Sequence, residues 1–157
     1  MINRTFFSIP IIFLLLVSCG FKVVNQSDLA NFSITNINMN GEKRINYYLK
    51  NTLSFSAKNN KNVNPISLNI VSQKNKNIKE KNIKNEITKY AIEIIVSVEL
   101  INANNKSKTI QVREIGDYSV AAQHSQTLNN EKNLIKTMSD TLANIILKKL
   151  TTVIDDL

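Results

Sequence analysis

The stretch Ile87–Ile101, ITKYAIEIIVSVELI, carries the most regular hydrophobic pattern in the chain and decides its fold class. The side chains at every second position are apolar or aromatic: Tyr90, Ile92, Ile94, Val96, Val98 and Leu100. The positions between them include Glu93, Ser97 and Glu99. A period of two is typical of a β-strand, and a single apolar face indicates a sheet that is covered on one side and mostly wet on the other.

A return strand follows this central one. The polar segment Asn102–Ser107 predicts a hairpin connection, and Ile110 and Val112 begin the next alternation. Gly116 is expected to break that strand before it resumes at Tyr118. Antiparallel pairing of the two strands would place their connection at the opposite end of the sheet from the basic run Lys74–Lys84.

Two more strands are predicted before the central one. Apolar alternation changes phase between Ile34 and Ile37, which predicts a short strand with a β-bulge. Pro65 opens the next strand. The residues that share one face of that strand are Ile66, Leu68 and Ile70. Gln73–Asn85 is rich in Lys and Asn without a clear period, so we expect a solvated loop or the frayed ends of two strands there.

Two segments change to helical spacing. In the first, about Glu42 to Ala57, one face is formed by Ile45, Tyr48, Leu49, Thr52, Leu53 and Ser56. The second follows a polar approach at Gln123–Asn130, and its apolar face is formed by Leu134, Ile135, Met138, Leu142, Ile145, Ile146, Leu150, Val153 and Leu157. Residues spaced by three and four predict amphipathic helices, each with one face to bury.

The predicted order of elements is therefore β-α-β-β-β-α. Two helical faces and a one-sided sheet can bury each other as two layers. We predict an α+β fold, a two-layer sandwich in which a mixed four-stranded sheet carries two helices on one face. The residues that form this single domain are expected to be 31–157.

The first nineteen residues have a different character. Arg4 supplies a positive charge, and Phe6–Val17 holds ten apolar residues in twelve, too few to span a bilayer as a helix. The segment ends Leu16-Val17-Ser18-Cys19-Gly20, which resembles a bacterial lipobox. We therefore expect a lipoprotein signal peptide at residues 1–18 and a lipidated tether at residues 19–30.

The chemistry expected at Cys19 is covalent and requires no other cofactor. Its thiol would accept a diacylglycerol, and after cleavage its amine could take an N-acyl chain; two or three chains anchor a protein firmly. Cys19 is the only cysteine of the chain, and the alternative is an ordinary buried cysteine. Gly20 instead of Asp favours export to the outer membrane over retention in the inner one.

Composition excludes several classes of site. One Cys and one His rule out an intramolecular disulfide and a Cys/His zinc site, and three Gly leave no Gly-rich phosphate loop. The net charge is +8, but Asn, Ile and Lys make up 63 of 157 residues. A/T-rich codons encode these three types, so codon bias is an alternative explanation of the charge. A periplasm-facing protein would meet no nucleic acid.

Catalytic groups are also scarce. His124 has no obvious orienting carboxylate nearby in sequence, as a catalytic triad would require. Glu93 and Glu99 share a strand face about 20 Å apart, which is wider than a glycosidase carboxylate pair. We expect no enzyme activity.

The start Cys19-Gly20-Phe21 and the core Leu49-Lys50-Asn51-Thr52-Leu53, preceded by Arg44, resemble the LptE family of lipopolysaccharide (LPS) assembly lipoproteins. This resemblance implies an outer-membrane lipoprotein, facing the periplasm, that assembles with and plugs the LPS-export β-barrel and helps to deliver LPS to the cell surface. The candidate contacts to LPS phosphates are Lys74, Lys76, Lys106 and Arg113, and the alternative for these residues is a solvated basic edge that blocks aggregation between strands. The alternative is an auxiliary lipoprotein of an envelope complex that binds a lipid or peptide without a barrel partner.

Overall fold

The structure is a computed structural model that describes residues 32–56 and 64–154. Its elements along the chain are β1 Ser33–Gly41, α1 Lys43–Ser56, β2 Pro65–Lys81, β3 Ile87–Asn102, β4 Ser107–Ser119 and α2 His124–Ile154. The expected order β-α-β-β-β-α is confirmed. The signal peptide and tether expected at residues 1–30, including Cys19, lie outside the described residues.

The four strands form one mixed sheet in the order β1-β2-β3-β4. β1 and β2 are parallel, with α1 between them in sequence, whereas β2–β3 and β3–β4 are antiparallel hairpins. α1 and α2 contact each other and cover the same face of the sheet. The predicted α+β two-layer sandwich is therefore confirmed.

The core lies between the sheet and the two helices. The central strand β3 supplies the expected alternate positions: Ile92, Ile94, Val96, Val98 and Leu100. The buried apolar residues of α1 and α2 are Ile45, Leu49, Leu53, Ile135, Met138, Leu142, Ala143, Ile146, Leu147 and Leu150. Each fully buried Leu or Ile stabilises the fold by about 1.5–3 kcal/mol relative to an exposed one, so this face holds the two layers together.

The irregularity of β1 lies where the change of phase predicts it. Ile34 is opposite Ile66 of β2 and Asn36 is opposite Ser67, so Thr35 is the extra residue of a bulge. The Thr35 hydroxyl donates to the carbonyl of Ile66 at 2.9 Å. The bulge returns the apolar residues of β1 to the helix-covered face after the slip.

β2 extends further than its hydropathy predicts. Residues 73–81, expected as a loop or frayed ends, continue the strand and pair with β3. Polar side chains find partners across the sheet: the Asn75 amide donates to the Glu93 carboxylate at 3.1 Å, and Glu80 forms an ion pair with Lys89 at 2.9 Å. Such cross-strand pairs stabilise a sheet without any apolar alternation, which is why hydropathy does not reveal them.

β4 is also continuous, so Gly116 does not break it as expected. A Cβ at this position would lie 2.8 Å from Leu134 Cδ1 and 3.2 Å from Met138 Sδ. Gly116 therefore allows α2 to pack closely on β4, which is a reason for glycine inside a strand other than a turn.

α2 begins at His124, earlier than its apolar spacing predicts. Its first turns contain only one large apolar residue, Leu128, whose side chain is 52% exposed, so they carry no amphipathic signal. The Thr127 hydroxyl bonds the backbone of Ala121 and fixes the approach to the helix. Among the residues that the structure describes, no helix is both long and apolar enough to cross a membrane.

Candidate ligand-binding cleft

The four predicted phosphate contacts occupy three separate places. Lys74 and Lys76 are two residues apart on β2 and both reach Glu131 of α2. Lys106 lies in the β3–β4 connection, at the opposite end of the sheet from the β2–β3 turn, as antiparallel pairing predicts. Arg113 lies on the uncovered face of the sheet and pairs with Glu93. The structure thus brings together only the first two.

Glu131 is the centre of the cluster that holds these two lysines. Its Oε2 accepts from the Lys76 ammonium at 2.8 Å and from the Tyr118 hydroxyl at 2.7 Å, and its Oε1 lies 3.5 Å from Lys74 Nζ. Lys76 Nζ also lies over two aromatic rings, 4.3 Å from the centroid of Tyr90 and 5.3 Å from that of Tyr118. The cluster joins α2 to the part of the sheet that extends beyond β1.

The electrostatics of the cluster favour its charged form. Burial alone would raise the pKa of Glu131, but hydrogen bonds from Lys76 and Tyr118 and the charges of Lys76 and Lys74 outweigh it, so that this pKa falls to about 2. Burial lowers the pKa of Lys76, yet the same bonds with Glu131 and Tyr118 leave it raised overall. Both groups therefore stay ionised across the physiological pH range.

An open cleft of about 760 Å³ lies beside this cluster, between the start of α1 and the first half of α2. Its cationic lining residues are Lys43, Arg44, Lys74 and Lys132, and its carboxylates are Glu42 and Glu131. Its apolar lining residues are Ile45, Tyr47, Leu128 and Ile135. Of these, Tyr47 and Leu128 are exposed, and cations beside exposed apolar side chains suit a ligand with an anionic and an apolar part.

The backbone at the start of α1 is fixed by one buried serine. Ser72 of β2 accepts from the Glu42 backbone N–H at 3.1 Å and donates to the Asn46 side chain at 2.7 Å. Gly41 has a φ of 101°, in the left-handed region, which lets β1 turn sharply into α1. This turn places Lys43 and Arg44 at the rim of the cleft.

The face of the sheet opposite the helices is mostly polar, although Val71 and Ile115 are exposed on it, and it is crossed by two rows of linked side chains. In one row the Asn38 amide donates to Asn69 Oδ1 at 3.0 Å, and the Asn69 amide donates to Glu99 Oε2 at 2.9 Å. The other row contains Asn75, Glu93 and Arg113. These rows give Asn38, Asn69 and Asn75 a structural role.

Two groups considered for catalysis have other positions. His124 is exposed at the first residue of α2, and Glu93 and Glu99 belong to the two polar rows. Within residues 32–56 and 64–154, no three His, Cys, Asp or Glu side chains are grouped as metal ligands.

Sequence reasoning missed Glu131, Tyr118 and Arg44 as members of this region. A spacing of two between Lys74 and Lys76 indicates a shared strand face, but their carboxylate partner is 57 and 55 residues away. Only the docking of α2 on the sheet brings it to them, and no local pattern encodes that contact.

No family model matches the chain, and no curated protein matches it significantly. Solved structures do. Rare lipoprotein B from Shewanella oneidensis matches with a TM-score of 0.59 and 11% identity over 77% of this chain and 97% of that one. Lipoprotein B from Nitrosomonas europaea has a TM-score of 0.59 and 21% identity over 87% and 93%. A minor lipoprotein from Acinetobacter baumannii matches with a TM-score of 0.56 and 12% identity, over 78% of this chain and 93% of that one. The chain therefore shares the fold of these lipoproteins.

Proposed function

We propose that this chain is an outer-membrane lipoprotein of the LPS-assembly class, which plugs the LPS-export β-barrel and helps to deliver LPS. The observation that carries the proposal is the shared fold with proteins named lipoprotein B and minor lipoprotein, in a chain whose one cysteine stands in a segment that resembles a lipobox. The family resemblance at Cys19-Gly20-Phe21 and Leu49–Leu53 supports the same assignment. The role requires binding partners and no reaction.

The polar face of the sheet suits a plug. The lumen of a large β-barrel is polar, so a protein inside it needs a surface that can form hydrogen bonds. The rows through Asn69 and Glu93 each place donors and acceptors on three of the four strands. An acyl tether would keep the domain beside the barrel and raise its effective concentration there.

Co-purification tests the barrel partner. The tagged full chain, extracted from outer membranes with mild detergent, is expected to bring down one large β-barrel protein. Arg113→Glu together with Asn69→Lys disturbs both polar rows and should reduce recovery, whereas Lys148→Glu on the exposed side of α2 should not. Recovery of soluble periplasmic proteins alone would contradict the plug.

A specific observation favours the alternative as well. The open cleft could hold a lipid or peptide in a protein that has no barrel partner. Native mass spectrometry of the protein purified without a barrel distinguishes the two. A peptide or a lipid other than LPS bound to the isolated protein favours the auxiliary lipoprotein, whereas bound LPS favours the LPS-assembly role.

Cys19→Ser is expected to abolish lipidation. The hydroxyl cannot form the diacylglycerol thioether, and the lipoprotein signal peptidase would leave the signal peptide in place. Incorporation of labelled palmitate and the gel mobility of the chain measure both effects. Ser18→Ala keeps a small residue before the cleavage point and should be labelled normally; continued labelling of Cys19→Ser would refute the anchor.

The four candidate phosphate contacts are expected to contribute unequally to LPS binding. Because Lys74 lines the cleft, Lys74→Glu should weaken binding most, while Lys106→Glu and Arg113→Glu, which lie elsewhere, should have small effects. Lys76→Glu would face Glu131 and is expected to lower stability first. Affinity is measured with immobilised LPS, and Lys148→Glu is the matched control. Unchanged binding in all four variants would mean that these residues only form a solvated basic surface.

A further inference from the structure

We propose that Glu131 is an internal competitor of the ligand for Lys74, so that Lys74 exchanges between this carboxylate and an anionic group in the cleft. The inference rests on the proposed function, because it concerns the phosphate-bearing ligand suggested above. It assigns a positioning role to Glu131 and distinguishes two lysines that look equivalent in the sequence.

The contacts of Glu131 Oε2 with Lys76 and Tyr118 form the fixed part of the cluster. Oε2 has two short partners, the Lys76 ammonium at 2.8 Å and the Tyr118 hydroxyl at 2.7 Å. Lys76 is further held over the rings of Tyr90 and Tyr118, which are stacked with their centroids 5.7 Å apart. Moving Lys76 would break an ion pair and two cation–π contacts together, so it is not available to a ligand.

The contact between Glu131 and Lys74 is weaker. Oε1 is 3.5 Å from Lys74 Nζ, longer than a strong charge-assisted hydrogen bond, and Lys74 lines the cleft whereas Lys76 does not. A Lys74 ammonium that turns into the cleft leaves the Oε2 contacts intact. Glu131 therefore keeps two partners when it loses the third, and the exchange leaves no carboxylate unpaired.

The cleft offers an incoming anion more than one cation. Lys43, Arg44 and Lys132 line it together with Lys74, and within the described residues no ion pair engages those three. A phosphate monoester has more negative charge and more acceptor oxygens than a carboxylate, so it can draw Lys74 away from Oε1. The apolar lining at Leu128 favours a phosphate carried by an amphiphile.

Competition of this kind keeps binding reversible. When a ligand binds Lys74, the interaction free energy of the Lys74–Glu131 ion pair is lost. The ligand affinity is therefore lower than it would be if all four cations were unpaired. A protein that passes a lipid onward requires such weak binding, because the ligand has to leave. Removing the competitor should therefore strengthen binding.

The test uses the full chain in detergent with diphosphoryl lipid A as the probe. Glu131→Gln is expected to bind it about tenfold more tightly and Lys74→Gln about tenfold more weakly, the size of one charge-assisted interaction. The double variant should match Lys74→Gln, because the competitor acts only through that lysine. Lys76→Gln should lower the melting temperature, whereas Lys148→Gln, on the exposed side of α2 and outside the cleft, should leave the affinity unchanged.

Additional variants and competing ligands distinguish the possible outcomes of this test. Glu131→Asp moves the carboxylate away from Lys74 by one methylene and should also tighten binding. This variant replaces Glu131→Gln in the test if Glu131→Gln does not fold. Inorganic phosphate and dephosphorylated lipid A distinguish a free anion from a phosphorylated amphiphile: competition by millimolar phosphate as strong as by lipid A would overturn the amphiphile. Equal affinity of the wild type and both Glu131 variants would overturn the competitor, and so would a gain that persists without Lys74. Failure of the wild type to bind lipid A at all would instead refute the LPS contact in the proposed function.

Discussion

Gly41→Ala is expected to remove a large part of the stability of the domain. Gly41 has a φ of 101°, and an alanine Cβ there would lie 1.9 Å from the carbonyl oxygen of Ser72 and 2.9 Å from its carbon. Both clashing atoms belong to the backbone of β2, so no side chain can move aside. The left-handed conformation and the forced shift of a packed strand together cost about 3 kcal/mol or more.

The matched control is the same substitution at Gly116. Its Cβ would meet Leu134 Cδ1 at 2.8 Å and Met138 Sδ at 3.2 Å, the far ends of flexible side chains that can adjust. We expect Gly116→Ala to cost about 1–2 kcal/mol, less than Gly41→Ala. Urea unfolding followed by circular dichroism measures both, and a Gly41→Ala variant as stable as the wild type would show that the turn into α1 is wrongly described.

Gly41→Ala should also affect the cleft. Ser72 binds both the Glu42 backbone and the Asn46 side chain, so a displaced Ser72 carbonyl shifts the first turn of α1. That turn carries Lys43 and Arg44 at the rim of the cleft. A Gly41→Ala protein that still folds is therefore expected to bind anionic ligands more weakly.

The parts of the fold that the sequence predicts well are those with a hydropathic period. The alternation through Ile92 to Leu100 gives the buried face of β3, and the change of phase between Ile34 and Ile37 locates the bulge of β1. Both are local consequences of which side chains must leave water. The order of the elements then permits few arrangements, and the mixed sheet with two helices on one face is one of them.

The parts that the sequence does not predict depend on contacts between distant residues. Residues 73–81 have no apolar period, and their strand exists because β3 pairs with them side chain by side chain. Gly116 looks like a turn residue until α2 packs on it. The candidate site has the same character, since Lys74 can be recognised as a cation from the sequence, but its carboxylate partner Glu131 is brought to it only by tertiary packing.

Acidification is expected to destabilise the domain through Glu131, and the sign follows from its pKa. Burial opposes ionisation, but bonds from Lys76 and Tyr118 and the charges of Lys76 and Lys74 lower the pKa from 4.5 to about 2 in the folded protein. A carboxyl with a lowered folded pKa stabilises the fold fully above its unfolded pKa and loses that contribution as the pH falls through the folded one. The loss should therefore occur between about pH 4.5 and 2.

The free energy of unfolding should fall by about 2 kcal/mol. The pKa shift of Glu131 alone corresponds to a few kcal/mol, and water reduces this value because it screens the charges of the partly exposed lysines. The measurement is the free energy of unfolding in urea at several pH values for the wild type and Glu131→Gln. Glu80 and Asp117, whose pKa values are also lowered by their hydrogen bonds with Lys89 and Lys79, titrate in both proteins. The difference between the two curves therefore isolates Glu131.

The two curves should converge as the pH falls, because a protonated Glu131 and a glutamine both lack the charge that Lys76 and Lys74 attract. Glu86→Gln, which removes an exposed carboxylate in the β2–β3 turn and leaves the Glu131 cluster untouched, is the charge-matched control. Parallel curves for Glu131→Gln would mean that the cluster contributes no ionic stabilisation. A competitor held so weakly could not restrain Lys74 either, so this equilibrium measurement without any ligand also bears on the exchange proposed for the cleft.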